Sequence, residues 1–263
     1  MSRIDKAFKR LKINGSKAFI PYITAGDPDM QTTGSMVLAL ERAGADIIEL
    51  GIPFSDPLAD GPVIQEASHR ALKKGASLRR AFALVERLRL KTEIPLIFMV
   101  YYNVILRYGL YEFLKSCSEV GVDGVIIPDL PYDEAKELIA LSRKFRIDTV
   151  FLAAPTSTTE RISRISENSK GFIYYVSLTG VTGLRSSLPA EVVSNVRLIK
   201  SMTYKPVAVG FGISSVEQAR HIAGVADGVI VGSAIVKMMS SGKKSLSKVE
   251  RFARNMARAV HNV

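Results

Sequence analysis

Eight short apolar runs, each followed by a longer stretch of helical period, constrain this chain more than any other feature. The runs lie at 18–24, 46–51, 95–101, 124–128, 149–154, 172–177, 206–210 and 228–231. They are rich in Ile, Val, Phe and Tyr, and several are bounded by Gly or Pro, as buried strands are. Segments of helical period fall between them, among others at 30–43, 77–90, 111–119, 133–144, 160–168 and 215–223. Asp27-Pro28-Asp29, Ser157-Thr158 and Ser214-Ser215 supply helix start signals. Such alternation implies parallel strands with right-handed crossovers. Eight units close naturally as a (β/α)8 TIM barrel, with an open doubly wound sheet as the alternative. An extra N-terminal helix at 3–11 precedes the first strand, and another at 246–259 ends the chain. No linker or low-complexity tract interrupts the 263 residues, so one barrel domain over 1–263 is expected, a routine length for this fold.

Composition narrows the chemistry. Cys117 is the sole cysteine, which rules out an intrachain disulfide and a cysteine metal cluster. His69, His221 and His261 lie far apart, outside any metal-ligand spacing. No apolar run is long enough to span a bilayer, and the basic start at 1–12 lacks a following apolar region, so a cytoplasmic location without a secretory signal is expected. The net charge of +11 attracts anions and raises nucleic acid as a partner. However, Lys and Arg are scattered along helical stretches such as 79–91 and 243–258, without interleaved aromatics. A solvated helix exterior accounts for them, and the charge can help draw in an anionic phosphate ester.

In a barrel of this kind chemistry sits at the carboxyl ends of the strands. After the second strand the sequence runs Glu49-Leu50-Gly51-Ile52-Pro53-Phe54-Ser55-Asp56-Pro57-Leu58-Ala59-Asp60-Gly61-Pro62. Alternation puts Glu49 on the face opposite Ile48 and Leu50. A carboxylate aimed into the barrel mouth is costly to ionise, and its pKa rises towards neutrality, as a general acid or base requires. The plain alternative is a strand-end Glu paired with Lys or Arg. Asp60 is either a turn former before Gly61 or a working carboxylate, and the length of the 53–62 loop favours a lid or binding loop. Late in the chain come Gly180-Val181-Thr182-Gly183, Gly210-Phe211-Gly212-Ile213-Ser214 and Gly232-Ser233. Each follows one of three consecutive strands, where backbone N–H groups can converge on a phosphate. Tyr22, Val100, Tyr102, Leu152, Tyr174 and Phe211 stand near strand ends, as pocket walls for a flat aromatic substrate or as ordinary core. Spacing alone thus supports a barrel that binds a phosphate ester with one or two working carboxylates, which fits an aldolase, epimerase, isomerase or lyase.

These same residues closely resemble the tryptophan synthase alpha subunit family. The resemblance is carried by 49–65, by Pro21-Tyr22-Ile23-Thr24-Ala25-Gly26-Asp27-Pro28, by Tyr101-Tyr102-Asn103, by the three glycine segments and by Gly232-Ser233-Ala234-Ile235-Val236, in order along nearly the whole chain. It implies retro-aldol cleavage of indole-3-glycerol phosphate to indole and glyceraldehyde-3-phosphate. Glu49 would be the principal acid–base group and Asp60 the partner of the indole N–H. Gly183, Gly212, Gly232 and Ser233 would hold the phosphate. Tyr22, Val100, Tyr102, Leu152, Tyr174, Thr182 and Phe211 would surround the rest of the substrate. No cofactor is implied in this chain, and pyridoxal phosphate is expected in a partner beta subunit within an alpha2beta2 tetramer. Asp56 and Pro57 would lie in a loop that closes over substrate and meets that partner, although Asp56 also reads as a cap of its own turn. Val104 stands where many members have Pro, and Leu178-Thr179 where some have Arg-Ser. A free-standing lyase and a catalytically inert activator of a beta subunit are the two other readings.

Overall fold

The computed structural model describes residues 1–176, 190–210, 212–240 and 245–263. Nine strands, all parallel, form one sheet in the order β5-β4-β3-β2-β1-β9-β8-β7-β6. They are β1 Ala18–Thr24, β2 Ile48–Gly51, β3 Leu96–Met99, β4 Gly124–Ile126, β5 Asp148–Val150, β6 Leu152–Ala153, β7 Ile173–Val176, β8 Val207–Gly210 and β9 Gly228–Val231. The two ends of that order are halves of the fifth expected strand, separated by Phe151 alone. The first half pairs with β4 and the second with β7, so the sheet closes through the chain itself. This is a (β/α)8 barrel, and an open doubly wound sheet is excluded. The break is local: the Phe151 N–H turns to the Ser169 hydroxyl at 3.3 Å, while its carbonyl accepts from the Tyr174 N–H at 3.1 Å.

The helices are α1 Arg3–Ile13, α2 Met30–Arg42, α3 Pro62–Lys73, α4 Leu78–Arg89, α5 Tyr102–Tyr108, α6 Leu110–Val120, α7 Lys136–Phe145, α8 Thr159–Asn168, α9 Ala190–Met202, α10 Val216–Ala223, α11 Ser233–Met239 and α12 Leu246–His261. The expected start signals act as caps. Asp29 accepts from Thr32 N–H at 2.7 Å, Thr158 from Arg161 N–H at 3.2 Å, and Ser215 forms a reciprocal capping box with Gln218. The segment expected as one helix at 133–144 begins instead with a 3-10 turn at Tyr132–Glu134. Among the described residues no helix is long and apolar enough to cross a membrane.

Strand alternation sorts the core into two shells. Ile48, Leu50, Leu96, Phe98, Val207, Val209 and Val229 point outwards and pack under the helices. Ala18, Ile20, Ile47, Ile97, Ile126, Val150, Phe172, Tyr174, Ala208 and Ile230 fill the barrel interior. The extra helix α1 joins that inner shell: Ile4, Ala7, Phe8 and Leu11 plug the amino-end floor. Three aspartates stitch the same floor. Asp46, Asp123 and Asp227 accept from the N–H of Phe19 (3.0 Å), Leu96 (2.8 Å) and Val207 (3.0 Å), each on the neighbouring strand. Their charges meet Arg10 and His261, Arg3 and Arg89, and Lys17 and Lys200. The floor is therefore a rigid base, and the opposite rim is left for chemistry.

Candidate active site

Glu49 ends in the barrel mouth, as alternation requires. It is completely buried, and among the described residues neither carboxyl oxygen has a hydrogen-bond partner. Among the described residues no Lys or Arg pairs with it, so the ion-paired alternative finds no partner there. Burial, reinforced by the charge of Asp60, pushes its pKa up to about 8. Asp60 sits at the end of the β2–α3 loop, where burial raises its pKa to about 6 against a hydrogen bond from Tyr101 that holds it down. Two carboxyls in one mouth thus have different preferred states at neutral pH: Glu49 protonated, Asp60 ionised.

The loop that carries Asp60 is anchored. Ala59 N–H donates to the Tyr101 hydroxyl at 3.0 Å, and the Gln65 side-chain amide donates to the Asp60 carbonyl at 2.8 Å. Phe54 stacks on Tyr101 with ring centroids 5.2 Å apart. At the far end of α3, Arg70 donates twice to the buried Asp27 carboxylate, at 3.0 and 2.8 Å, tying the helix to the loop after β1. Asp56 is exposed and Pro57 buried within this loop. The Asp56 carbonyl accepts from Leu58 N–H at 3.0 Å, and the Asp56 side chain makes no cap among the described bonds.

Two tyrosines complete the mouth. Tyr22 and Tyr174 are buried, and burial raises both phenols well above their ordinary pKa, with Glu49 and Asp60 adding to the effect. Their rings need two glycines. A Cβ on Gly51 would collide with the Tyr22 hydroxyl, and one on Gly210 with the Tyr174 hydroxyl. Tyr22 also packs with Ala67 of α3 and Val236 of α11, and its Cβ lies 3.5 Å from where a Gly232 Cβ would be. Leu152 packs on the inner shell, paired in register with Tyr174.

The segment that leaves β3 brings further side chains towards the mouth. Val100 lies in the outer shell under the helices, and Tyr102, the first residue of α5, also packs on that shell. The inward positions of β3 and its extension are Ile97, Met99 and Tyr101. Met99 packs beside Tyr22, and Tyr101 reaches Asp60. Period-2 alternation along 95–101 would have found both, had it been carried past the strand to Tyr101. Val104 donates its N–H to the Tyr101 carbonyl at 3.0 Å, which fixes the turn that a Pro would leave unbonded.

The glycine segments after β8 and β9 lie side by side, because those strands pair. Gly212 has a φ of +73°, a backbone state suited to glycine. Gly232 precedes α11, whose first amides, on Ser233 and Ala234, have no partner within the helix. Thr182, Gly183 and Phe211 fall outside the described residues.

Comparison with known proteins agrees with this geometry over the chain's length. The family model described as "Tryptophan synthase alpha chain" matches residues 8–261. The chain belongs to the tryptophan synthase alpha chain family. A tryptophan synthase alpha chain of Thermoanaerobacter sp. (strain X514) is 50% identical over 259 residues, covering 97% of this chain and 98% of the relative. One from Caldanaerobacter subterraneus subsp. tengcongensis is 51% identical over 255 residues, covering 96% and 97%. The crystal structure of tryptophan synthase subunit alpha from Legionella pneumophila str. Paris superposes with a TM-score of 0.93 at 38% identity, covering 100% of both chains. As a member of this family the chain is a carbon–carbon lyase of tryptophan biosynthesis, which cleaves indole-3-glycerol phosphate to indole and glyceraldehyde-3-phosphate.

Proposed function

We propose that Glu49 and Asp60 divide the chemistry of this lyase between them. The bond to be broken joins indole C3 to the glycerol side chain, and the ring leaves only after C3 is protonated. The Glu49 carboxyl, neutral at pH 7, gives its proton to C3. Positive charge then develops on the ring nitrogen, and the Asp60 carboxylate stabilises it through the N–H. The Glu49 carboxylate left behind takes the proton of the side-chain hydroxyl as the C3 bond breaks and the aldehyde forms. Each proton is accounted for, and Glu49 ends as it began. No metal or organic cofactor of the chain's own takes part.

Tyr22, Leu152, Tyr174 and Met99 hold the indole and glycerol parts, with Thr182 and Phe211 as further walls. Tyr101 positions Asp60. The amides of Gly183, Gly212, Gly232 and Ser233 hold the phosphate at the rim beside Tyr22. The chain works as one barrel domain over 1–263, in the cytoplasm. It pairs with a pyridoxal-phosphate-dependent beta subunit as an alpha2beta2 tetramer, and indole passes to that subunit directly. Asp56 and Pro57 belong to the loop that couples closure over substrate to the partner.

The observation that carries the proposal is a completely buried, unpartnered Glu49 carboxyl held protonated near neutral pH beside an ionised Asp60. The test measures indole release with and without a beta subunit, for the parent and for Glu49→Gln. Strong activation by the partner is expected, with a loss of about 10³-fold in the variant and phosphate-ester binding intact. Near-normal turnover in Glu49→Gln would remove Glu49 from the mechanism, and high activity unaffected by the partner would remove the coupling.

A further inference from the structure

The amino-end floor carries a feature that the lyase reaction leaves unused. A cavity of about 410 Å³ opens between the end of α1, the turn at 15–17 and the segment at 203–206 that leads into β8. Four lysines line it, Lys12, Lys17, Lys200 and Lys205, against one carboxylate, Asp227. That carboxylate is already engaged. Lys200 lies 2.7 Å from its Oδ1, Lys17 3.9 Å, and its Oδ2 accepts from Val207 N–H at 3.0 Å. Lys12 and Lys205 make no ion pair among the described residues. The half-buried Lys205 ammonium donates to the Ser166 carbonyl. Burial, and then repulsion from Lys170, lowers the Lys205 pKa, with Glu167 opposing. Tyr204 stands fully exposed at the lip.

Four cations gathered against one carboxylate, with the Lys205 ammonium half-buried among them, leave room for a further anion. Four lysines that line one cavity suit an anion with several charged oxygens. We propose that this floor cavity binds a phosphoryl anion carrying two or more negative charges, at a site separate from the catalytic mouth. The inner shell of the barrel lies between the two, so each site can fill without the other.

The sequence contains no tryptophan, so Tyr204→Trp places a single fluorescent reporter at the lip. Inorganic tripolyphosphate is titrated at fixed ionic strength, with the catalytic mouth saturated by glycerol 3-phosphate. A saturable change is expected. The pair Lys12→Gln and Lys205→Gln should weaken it about tenfold or more, because each charge-assisted contact is worth roughly that much. The pair Lys6→Gln and Lys9→Gln removes the same charge from exposed positions of α1 outside the cavity, and should change the affinity by less than about twofold, as screened surface charges do. Equal weakening by both pairs would reduce the effect to the protein's overall field. So would a response that never saturates, and either result overturns the site. If Lys205→Gln does not fold, Lys12→Gln alone at its exposed position must still weaken binding severalfold, and an unchanged affinity refutes the proposal.

Discussion

Replacing Glu49 by Gln should make the protein more stable, and by an amount that depends on pH. The folded state holds the Glu49 proton up to about pH 8, whereas the unfolded chain releases it near 4.5. Between those values the folded state binds the extra proton, so its stability falls as pH rises through that window. At pH 7, about 2.5 pH units above the unfolded value, about 1.4 kcal/mol per unit costs the parent about 3–4 kcal/mol. Above pH 8 the cost levels off at about 4–5 kcal/mol. Gln is neutral and nearly isosteric, so it removes this term while leaving the packing unchanged. Its amide is as unpartnered as the protonated acid it replaces, and those penalties nearly cancel. Thermal unfolding of parent and variant from pH 4 to 9 measures the difference. The variant should gain about 6–12 °C at pH 7, more at pH 8.5, and nothing at pH 4. An increment independent of pH, or a variant less stable than its parent at pH 8, would show that Glu49 is ionised in the folded state and would remove the physical basis of its acid role.

Other consequences can be measured directly. The rate profile of kcat/KM should be bell-shaped, with limbs near pH 6 and 8, because the active form has Asp60 ionised and Glu49 protonated; a profile flat from pH 5 to 9 contradicts that pairing. Tyr101→Phe removes a hydrogen bond that favours the Asp60 carboxylate, so the acid limb should move to higher pH, and an unmoved limb would deny Tyr101 its place. Gly51→Ala forces Tyr22 out of the mouth; activity should drop by more than about tenfold with about 1–3 kcal/mol of lost stability. Normal kinetics in that variant would show that the Tyr22 ring position is immaterial.

The barrel was readable in advance because its two signals are strong and local: apolar runs for strands, capped amphipathic stretches for helices. Asp29, Thr158 and Ser215 cap the helices whose starts their residue types announce. The break at Phe151 was not readable, because 149–154 is apolar throughout after Thr149 and nothing in it says that its two halves pair in different directions. Glu49 was readable because a single charged residue in an apolar alternation has only two faces to choose from. Tyr101 and Tyr102 were harder. Two like residues at a strand end differ in direction only, and the choice depends on following β3 beyond its last paired residue. Partnerlessness was also beyond sequence. That no cation among the described residues reaches Glu49 is a property of several neighbouring elements at once.

The plug that α1 makes in the barrel floor has one more effect. Ile4, Phe8 and Leu11 close the lower end against Phe172 and the rest of the interior. The reaction chamber is thus shut at its lower end. An oily product such as indole cannot drain through the axis. It must leave at the rim where the strands end, so the direction of traffic is set by a helix on the opposite side of the molecule.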